Sequence, residues 1–253
     1  MGKRLVCWFS CGAASAVATY FALVLSKRKQ QFDEIVIAYT EVQEEHPDNK
    51  RFLKECESWF DEKITVLKNL KYGGSIVNVF ESLKYMGGNS YTPCTRLLKK
   101  DVRKEFEQPN DVQVFGYTAE EKNRLDRFID SNNIKVWAPL VDNGVTKSEC
   151  LAILSSAGIK LPAMYELGYH NNNCIGCVRG GCGYWNKIRH DFPDVFKLRA
   201  EQSRRLGAKL CNYRGKRIYL DELPEDAGHY PTEIMPECGI ACEYLLDVLK
   251  NGE

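Results

Sequence analysis

Charge of one sign is what this 253-residue sequence has least of: 35 Lys and Arg stand against 34 Asp and Glu, a formal net charge of +1. That balance excludes a broad electrostatic field for nucleic acid or membrane lipid, so any basic site must be local. The sequence has no G-x4-G-K-S/T loop and no G-x-G-x-x-G fingerprint, which excludes the two familiar glycine-rich phosphate cradles. It has no internal repeat and no low-complexity tract, so neither a solenoid nor a long disordered linker is expected.

Long apolar runs are also scarce. The one long uncharged stretch, Leu5 to Ser26, spans twenty-two residues after a basic start. Its length is that of a signal peptide or a spanning helix. Ser10, Gly12, Ser15 and Thr19 interrupt it, however, and neither a second span nor a clear cleavage site follows. A cytoplasmic protein with no membrane partner is the expectation.

Cysteine is abundant instead. Eleven are present, an odd number, and their spacings include C-x2-C at Cys174 and Cys177 and C-x3-C at Cys238 and Cys242. This pattern suits metal or redox chemistry better than a disulfide scaffold.

Apolar runs bounded by turn residues predict strands at Arg4 to Phe9, Glu34 to Tyr39, Ile64 to Leu67, Val112 to Tyr117 and Lys135 to Val141. Helical patterns fall between and after them, at Ala14 to Ser26, Asp48 to Phe60, Ile76 to Tyr85, Arg96 to Phe106 and Glu120 to Ile129. Alternation of this kind predicts the α/β class, a doubly wound and mostly parallel sheet. Thr146 and Glu149 form a capping box before a further helix that Gly158 should stop. Composition then changes, so residues 1–160 are read as the α/β domain. Residues 161–253 are read as a Cys-rich, mainly helical subdomain, with Tyr184, Trp185, Ile188, Phe192, Val195 and Phe196 as its core and a hairpin around Arg214 and Gly215.

Directly after the first strand and before the first helix lies F-S-C-G-A-A-S, residues 9–15. A small-residue turn in that place aims backbone N–H groups and the positive end of a helix at an anion. Ser10 and Ser15 add hydroxyls, and Gly12 and Ala13 let phosphate approach the backbone. In Y-T-P-C-T-R-L-L-K-K, Thr92 serves as N-cap and Pro93 as the first helical residue, which puts Cys94 in the first turn. That position is expected to lower the thiol's pKa, and Arg96, Lys99 and Lys100 supply cations suited to phosphate or sulfate. Two thiols in the C-I-G-C turn, with Cys182 close by, are expected to share a metal, iron–sulfur or zinc.

The turn at Ser10, Cys11, Gly12, Ala13, Ala14 and Ser15 resembles the S-x-G-A-x-S phosphate-binding loop of the phosphoadenylyl-sulfate and adenylyl-sulfate reductases. These belong to the PP-loop, adenine nucleotide alpha-hydrolase-like superfamily. Relatives that cleave ATP, among them tRNA thiolation enzymes, carry S-G-G-x-D-S, and here Ala14 holds the aspartate position. Loss of that carboxylate removes an expected Mg ligand and favours holding a nucleotide over cleaving it. A-Y-T-E-V-Q-E-E-H-P-D-N, with Thr40, Glu45, His46 and Pro47, resembles the family's turn after the second strand. F-G-Y-T-A-E-E-K-N-R, with Gly116, Glu120 and Arg124, resembles its segment after the fourth.

The tail P-E-C-G-I-A-C-E resembles the E-C-G-L-H end of these reductases, which implies Cys238 as the nucleophile that attacks a sulfate sulfur. The order of Cys94 and C-I-G-C resembles the cysteines that hold a [4Fe-4S] cluster in assimilatory adenylyl-sulfate reductases. The resemblance therefore implies cluster ligands at Cys94, Cys174 and Cys177, with Cys182, Cys238 or Cys242 as the fourth. Departures are a Pro93-Cys94 pair in place of Cys-Cys, Ala241-Cys242 after the tail motif, and an insertion whose helices resemble those of reductase-like proteins from phage and mobile elements. Were Cys238 and Cys242 to join Cys174 and Cys177, they would be ligands of iron–sulfur or zinc and no nucleophile would remain.

The implied function is thiol-dependent reduction of an adenine sulfonucleotide to sulfite through a Cys thiosulfonate, with a thioredoxin-like reductant as partner. The alternative is ATP- or iron–sulfur-dependent sulfur transfer to a nucleic acid or nucleobase; a pseudo-enzyme that only binds nucleotide is the third. A nucleic-acid partner is not indicated by the charge pattern, and a homodimer is left open.

Overall fold

Five short apolar segments form one parallel sheet in the computed structural model, which describes residues 2–87 and 91–231. They are β1 (Arg4–Phe9), β2 (Glu34–Thr40), β3 (Ile64–Leu67), β4 (Val112–Val114) and β5 (Lys135–Trp137), in the order β3-β2-β1-β4-β5. In the register, Arg4 to Phe9 lie opposite Glu34 to Tyr39, while Leu5 faces Val112 on the other side. The fold is α/β, doubly wound, as the alternation of elements implied. Strand order reverses between β1 and β4, the place where such sheets open a crevice at the carboxyl ends of their strands.

The long uncharged stretch becomes β1 and a buried helix. Helix α1 (Ala13–Lys29) hides Ala16, Val17, Ala18, Phe21, Ala22 and Leu23 on the sheet and its neighbouring helices. Its small residues permit close packing on several sides at once. Among the described residues no helix is long and apolar enough to cross a membrane.

Helix α2 (Asn49–Phe60) follows β2, and α3 (Ile76–Leu83) follows β3. A π-helical turn, Thr95–Lys100, runs into α4 (Asp101–Phe106) before β4. Helix α5 (Lys122–Asn132) precedes β5, and α6 (Pro139–Asp142) and α7 (Lys147–Ser156) follow it. β4 and β5 are shorter than the apolar runs suggested. After β4 the chain turns at Gly116 toward α1, and Pro139, which lacks an N–H, ends the extended run as the first residue of α6. The α7 capping box forms as read, with the Thr146 N–H donating to Glu149 Oε2 at 2.8 Å and the Glu149 N–H to Thr146 Oγ1 at 3.3 Å. Gly158, at φ 74°, closes the other end.

A second apolar core holds α8 (Ala163–Glu166), α9 (Cys182–Asp191), α10 (Pro193–Arg205) and the hairpin β6 (Cys211–Tyr213) and β7 (Lys216–Ile218), which turns at Arg214 and Gly215. Trp185 and Ile188 are fully buried there, as their helical spacing predicted. This core also takes Ile76, Val79, Phe80 and Leu98 from the earlier part of the chain. It therefore packs around α3 and the π turn, and brings Cys94 against the C-I-G-C loop.

Candidate functional site

A cleft of about 610 Å³ opens at the carboxyl end of the sheet, where β1 and β4 diverge. Of the residues singled out from the sequence, Ser10, Gly12, Ala14, Ser15, Thr40, Gly116, Lys99, Lys100 and Arg124 line it. Cys11 and Ala13 are buried behind the loop, and Arg96 is turned away.

The loop is organised by Ser15. Its Oγ accepts from the Ser10 N–H at 3.0 Å, the Ser10 hydroxyl at 3.0 Å and the Gly12 N–H at 3.3 Å, and donates to the Gly12 carbonyl at 2.9 Å. The Ala13 N–H donates to Tyr165 Oη at 3.3 Å. The amides of Ala14 and Ser15, in the first turn of α1, have no acceptor within the helix. They and the helix dipole form the anion-facing end of the turn. Gly116 closes the other wall so tightly that a Cβ there would sit 2.5 Å from Ser15 N and 2.7 Å from Ser15 Cα. Only glycine fits.

A network at the back of the loop was not legible in the sequence. Cys11 adopts a positive φ of 55°, which turns its carbonyl to accept from Asn172 Nδ2 at 2.6 Å. Asn172 Nδ2 also donates to Asn49 Oδ1 at 2.8 Å. Asn49 in turn donates to Glu45 Oε2 at 3.2 Å, and the Tyr39 hydroxyl donates to the same oxygen at 2.5 Å. The Lys99 ammonium completes the chain at 3.0 Å from Glu45 Oε1. Although partial withdrawal from water works against its charge, the Glu45 carboxylate raises the Lys99 pKa. Asn172 Oδ1 is buried, lines the cleft through its residue, and has no hydrogen-bond partner among the described residues. The run of three asparagines before Cys174 was the available signal for Asn172; Tyr165 had none.

Of the residues in the segment after β4, Glu120 and Arg124 take different partners. Arg124 bonds Glu121, while Glu120 Oε1 accepts from the Lys147 N–H at 3.1 Å. Arg96 departs from its expected place, and the turn at Thr95–Lys100 that carries it is π-helical, not α-helical. The Asp101 N–H reaches back to the Arg96 carbonyl, five residues away. Arg96 lies 3.9 Å from Asp101 in solvent, while Lys99 and Lys100 face the cleft.

Beyond Lys99 lie the cysteines. Cys94, Cys174 and Cys177 are close enough to act on one another electrostatically, and Lys99 acts on Cys174. Cys94 stands at the start of its helix as expected, yet its thiol is not acidic. Burial, reinforced by Cys177, pushes it up to about 11, and the hydrogen bonds of Thr95 offset only part of that rise. Burial likewise pushes the Cys174 thiol up to about 12. Cys182 lines a second cavity together with Cys177. Its Sγ donates to the Asn212 carbonyl at 3.3 Å, and it lies beside Cys211. None of the described cysteines is in a disulfide, and Cys238 and Cys242 lie outside the described residues.

Among the described residues no three His, Cys, Asp or Glu side chains converge on a single metal ion. The all-thiol set of Cys94, Cys174 and Cys177 fits an iron–sulfur cluster in its chemistry, since a cluster's size lets its ligands stand farther apart than those of one zinc. The same interior holds an orphaned cationic donor, Arg199 Nε.

The architecture and the crevice at its switch point thus define a doubly wound α/β protein with a small-residue turn at the start of its first helix. No protein-family model and no curated protein matches the sequence. Among solved structures, a phosphoadenylyl-sulfate (PAPS) reductase from Candida auris, in its phosphate complex, is similar over 65% of this chain and 78% of its own, with 11% identity and a TM-score of 0.43. The U34-tRNA thiolase NcsA from Methanococcus maripaludis, with its [4Fe-4S] cluster, is similar over 97% of this chain and 81% of its own, with 13% identity and a TM-score of 0.43. The first is a reductase of the kind the opening loop resembles, and the second is a tRNA thiolation enzyme. Both likenesses are distant, and the chemistry of the site rests on this chain's own residues.

Proposed function

We propose that the chain is an enzyme of sulfur chemistry that holds an adenine nucleotide in the β1/β4 cleft. The observation that carries this reading is the junction of two features: a serine-organised turn at a helix start, lined by Lys99, Lys100 and Arg124, and three half-buried thiols beyond Lys99. The turn would take phosphate or sulfate through the Ala14 and Ser15 amides, and Lys100 and Arg124 would balance its charge. The two carboxylates of the cleft, Glu120 and Glu121, are engaged with Lys147 and Arg124. With Ala14 lacking a carboxylate, this supports holding a nucleotide over cleaving it.

In the reductase version, the Cys238 thiolate attacks the sulfur of a sulfonucleotide. An S–S bond forms, the S–O bond to phosphate breaks, and the nucleotide leaves with the electron pair. A thioredoxin-like dithiol then attacks the cysteine sulfur of the thiosulfonate, releases sulfite and ends as a disulfide. A specific observation favours a second version: Cys94, Cys174 and Cys177 act on one another electrostatically. A three-thiol [4Fe-4S] site would supply an iron open to an external sulfur for transfer to a nucleobase. In either case the chain's own residues orient the nucleotide and screen its charge.

Anaerobic calorimetric titration with adenosine phosphosulfates and ATP tests the shared core, and saturable binding lost in Ser15→Ala is expected. Absence of binding by every adenine nucleotide overturns the proposal. Sulfite release with a dithiol reductant identifies the first version, and sulfur incorporation into RNA or DNA the second.

A further inference from the structure

Arg199 on α10 is 1% exposed. Its Nη1 donates to the neutral Gln202 Oε1, its guanidinium lies 5.4 Å from the centre of the Phe80 ring, and its Nε has no hydrogen-bond partner. No carboxylate lies within 4.0 Å of it among the described residues, the limit for an ion pair here. A guanidinium taken out of water without an anion costs several kcal/mol, so the fold keeps this charge where something must answer it.

Burial works against the charge of Arg199, and the groups that favour it are Glu44 first, then Cys94, Cys174 and Cys177. Glu44 keeps its charge while it accepts only from neutral donors. Its Oε1 accepts from Ser75 Oγ at 2.7 Å and the Val77 N–H at 3.2 Å, and its Oε2 from the Ile76 N–H at 2.9 Å, capping α3. The three thiols share this interior with Glu44, and backbone geometry fixes their loop to the same helix face. Gly176, at φ 71°, lies so close to α10 that a Cβ there would meet Val195 Cγ1 at 2.9 Å, one turn before Arg199. The Ile175 N–H donates to the Glu44 carbonyl at 2.8 Å, and the Cys177 N–H to Tyr184 Oη at 2.9 Å.

We propose that Arg199 is the internal counter-cation of an anionic iron–sulfur group carried by Cys94, Cys174 and Cys177, a positioning residue that sets how tightly the group is held and at what potential. This rests on the cluster reading of the cysteines given above. Ligation replaces thiol protons by metal and leaves net negative charge in a dry interior. A fixed positive charge beside it favours ligation, and favours the reduced, more negative state over the oxidised one. Arg199 is not among the residues that line the nucleotide cleft, so its influence is separable from nucleotide binding.

The test uses the full chain, purified and reconstituted anaerobically with iron and sulfide, as wild type, Arg199→Gln, Arg199→Lys and Gln202→Glu. Readouts are iron and sulfide per chain, midpoint potential followed by visible absorption and electron paramagnetic resonance, and nucleotide affinity. Arg199→Gln is expected to weaken iron retention against a chelator about 10-fold or more, the scale of outer-shell losses at metal sites, and to move the midpoint to more negative values. Arg199→Lys restores most of both. Gln202→Glu, which sets a carboxylate against the same guanidinium, moves the midpoint the same way and keeps the proposal testable should Arg199→Gln not fold. Nucleotide affinity stays at the wild-type value in all three. Wild-type iron retention and midpoint in every folded variant overturn the role of Arg199 and leave the cluster reading intact. A wild-type chain that takes up no iron overturns the cluster reading, and this proposal with it.

Discussion

Ser15 and Gly116 illustrate how single residues make the anion turn. One hydroxyl gathers three donors from the loop, and one missing side chain lets the segment after β4 lie against it. Gly116→Ala forces a methyl group into the backbone of Ser15, where no side chain can yield. We expect a loss of about 1–3 kcal/mol in urea unfolding, the usual cost of overpacking. Nucleotide affinity should fall about 10-fold, or about 1.4 kcal/mol, in calorimetric titration. Stability lost with affinity unchanged would remove this loop from the binding surface. The glycine was singled out from the sequence by its place after the fourth strand, but its reason, the contact with α1, exists only in three dimensions.

Elements are held in place by charged clasps as well as by apolar packing. At the start of α2, Asp48 bonds Arg51 at 2.7 Å and accepts from the Ala163 N–H at 2.9 Å, while Arg51 also donates to the Lys160 and Leu161 carbonyls at 3.1 and 3.0 Å. The clasp thus fixes the stretch that leads to Tyr165 beneath the anion turn. The Arg51 guanidinium holds the Asp48 carboxyl below the usual carboxylate range, with partial burial opposing and the Ala163 N–H assisting. A depressed carboxyl contributes stability that is complete above the unfolded value, about pH 4, and is lost as pH falls through the lower folded value. Asp48→Asn should therefore lower stability at pH 7 by about 1 kcal/mol, a half-screened pair's worth, read as a lower thermal midpoint. The gap to wild type should close in melts taken below about pH 4. A gap that stays constant with pH would assign the effect to packing.

At the same scale, β1 and β3 have the boundaries their apolar runs predicted, because buried strands and their turns are locally specified. The turn after Cys94 was not legible. Periodic reading assumes 3.6 residues per turn and does not foresee a π-helical turn at Thr95–Lys100.

Over the whole molecule, two apolar cores meet along the segment from Tyr165 to Cys177, which supplies one wall of the β1/β4 cleft and the thiol pair together. That union explains what stayed hidden in the sequence. Asn172 reaches Cys11 across 161 positions, and Cys182 finds Cys211 in a hairpin, pairings that no local spacing encodes. Asn172→Ala is expected to leave the Cys11 carbonyl and Asn49 unpaired, at a cost of about 1–3 kcal/mol. It should also reduce the protection that saturating nucleotide gives in thermal melts, about 2.7 kcal/mol at a hundredfold excess over Kd. Full protection in the variant would show that this wall does not touch the ligand.

Glu44 and Glu45 are joined by one peptide bond and look in opposite directions. The first caps α3 and anchors the thiol loop through its carbonyl; the second receives Lys99, Tyr39 and Asn49 behind the anion turn. An anion that draws Lys99 off Glu45 therefore pulls on a lever whose other arm ends at Ile175. Were the proposed nucleotide and sulfur group both to bind, any linkage through this dipeptide would be reciprocal in free energy.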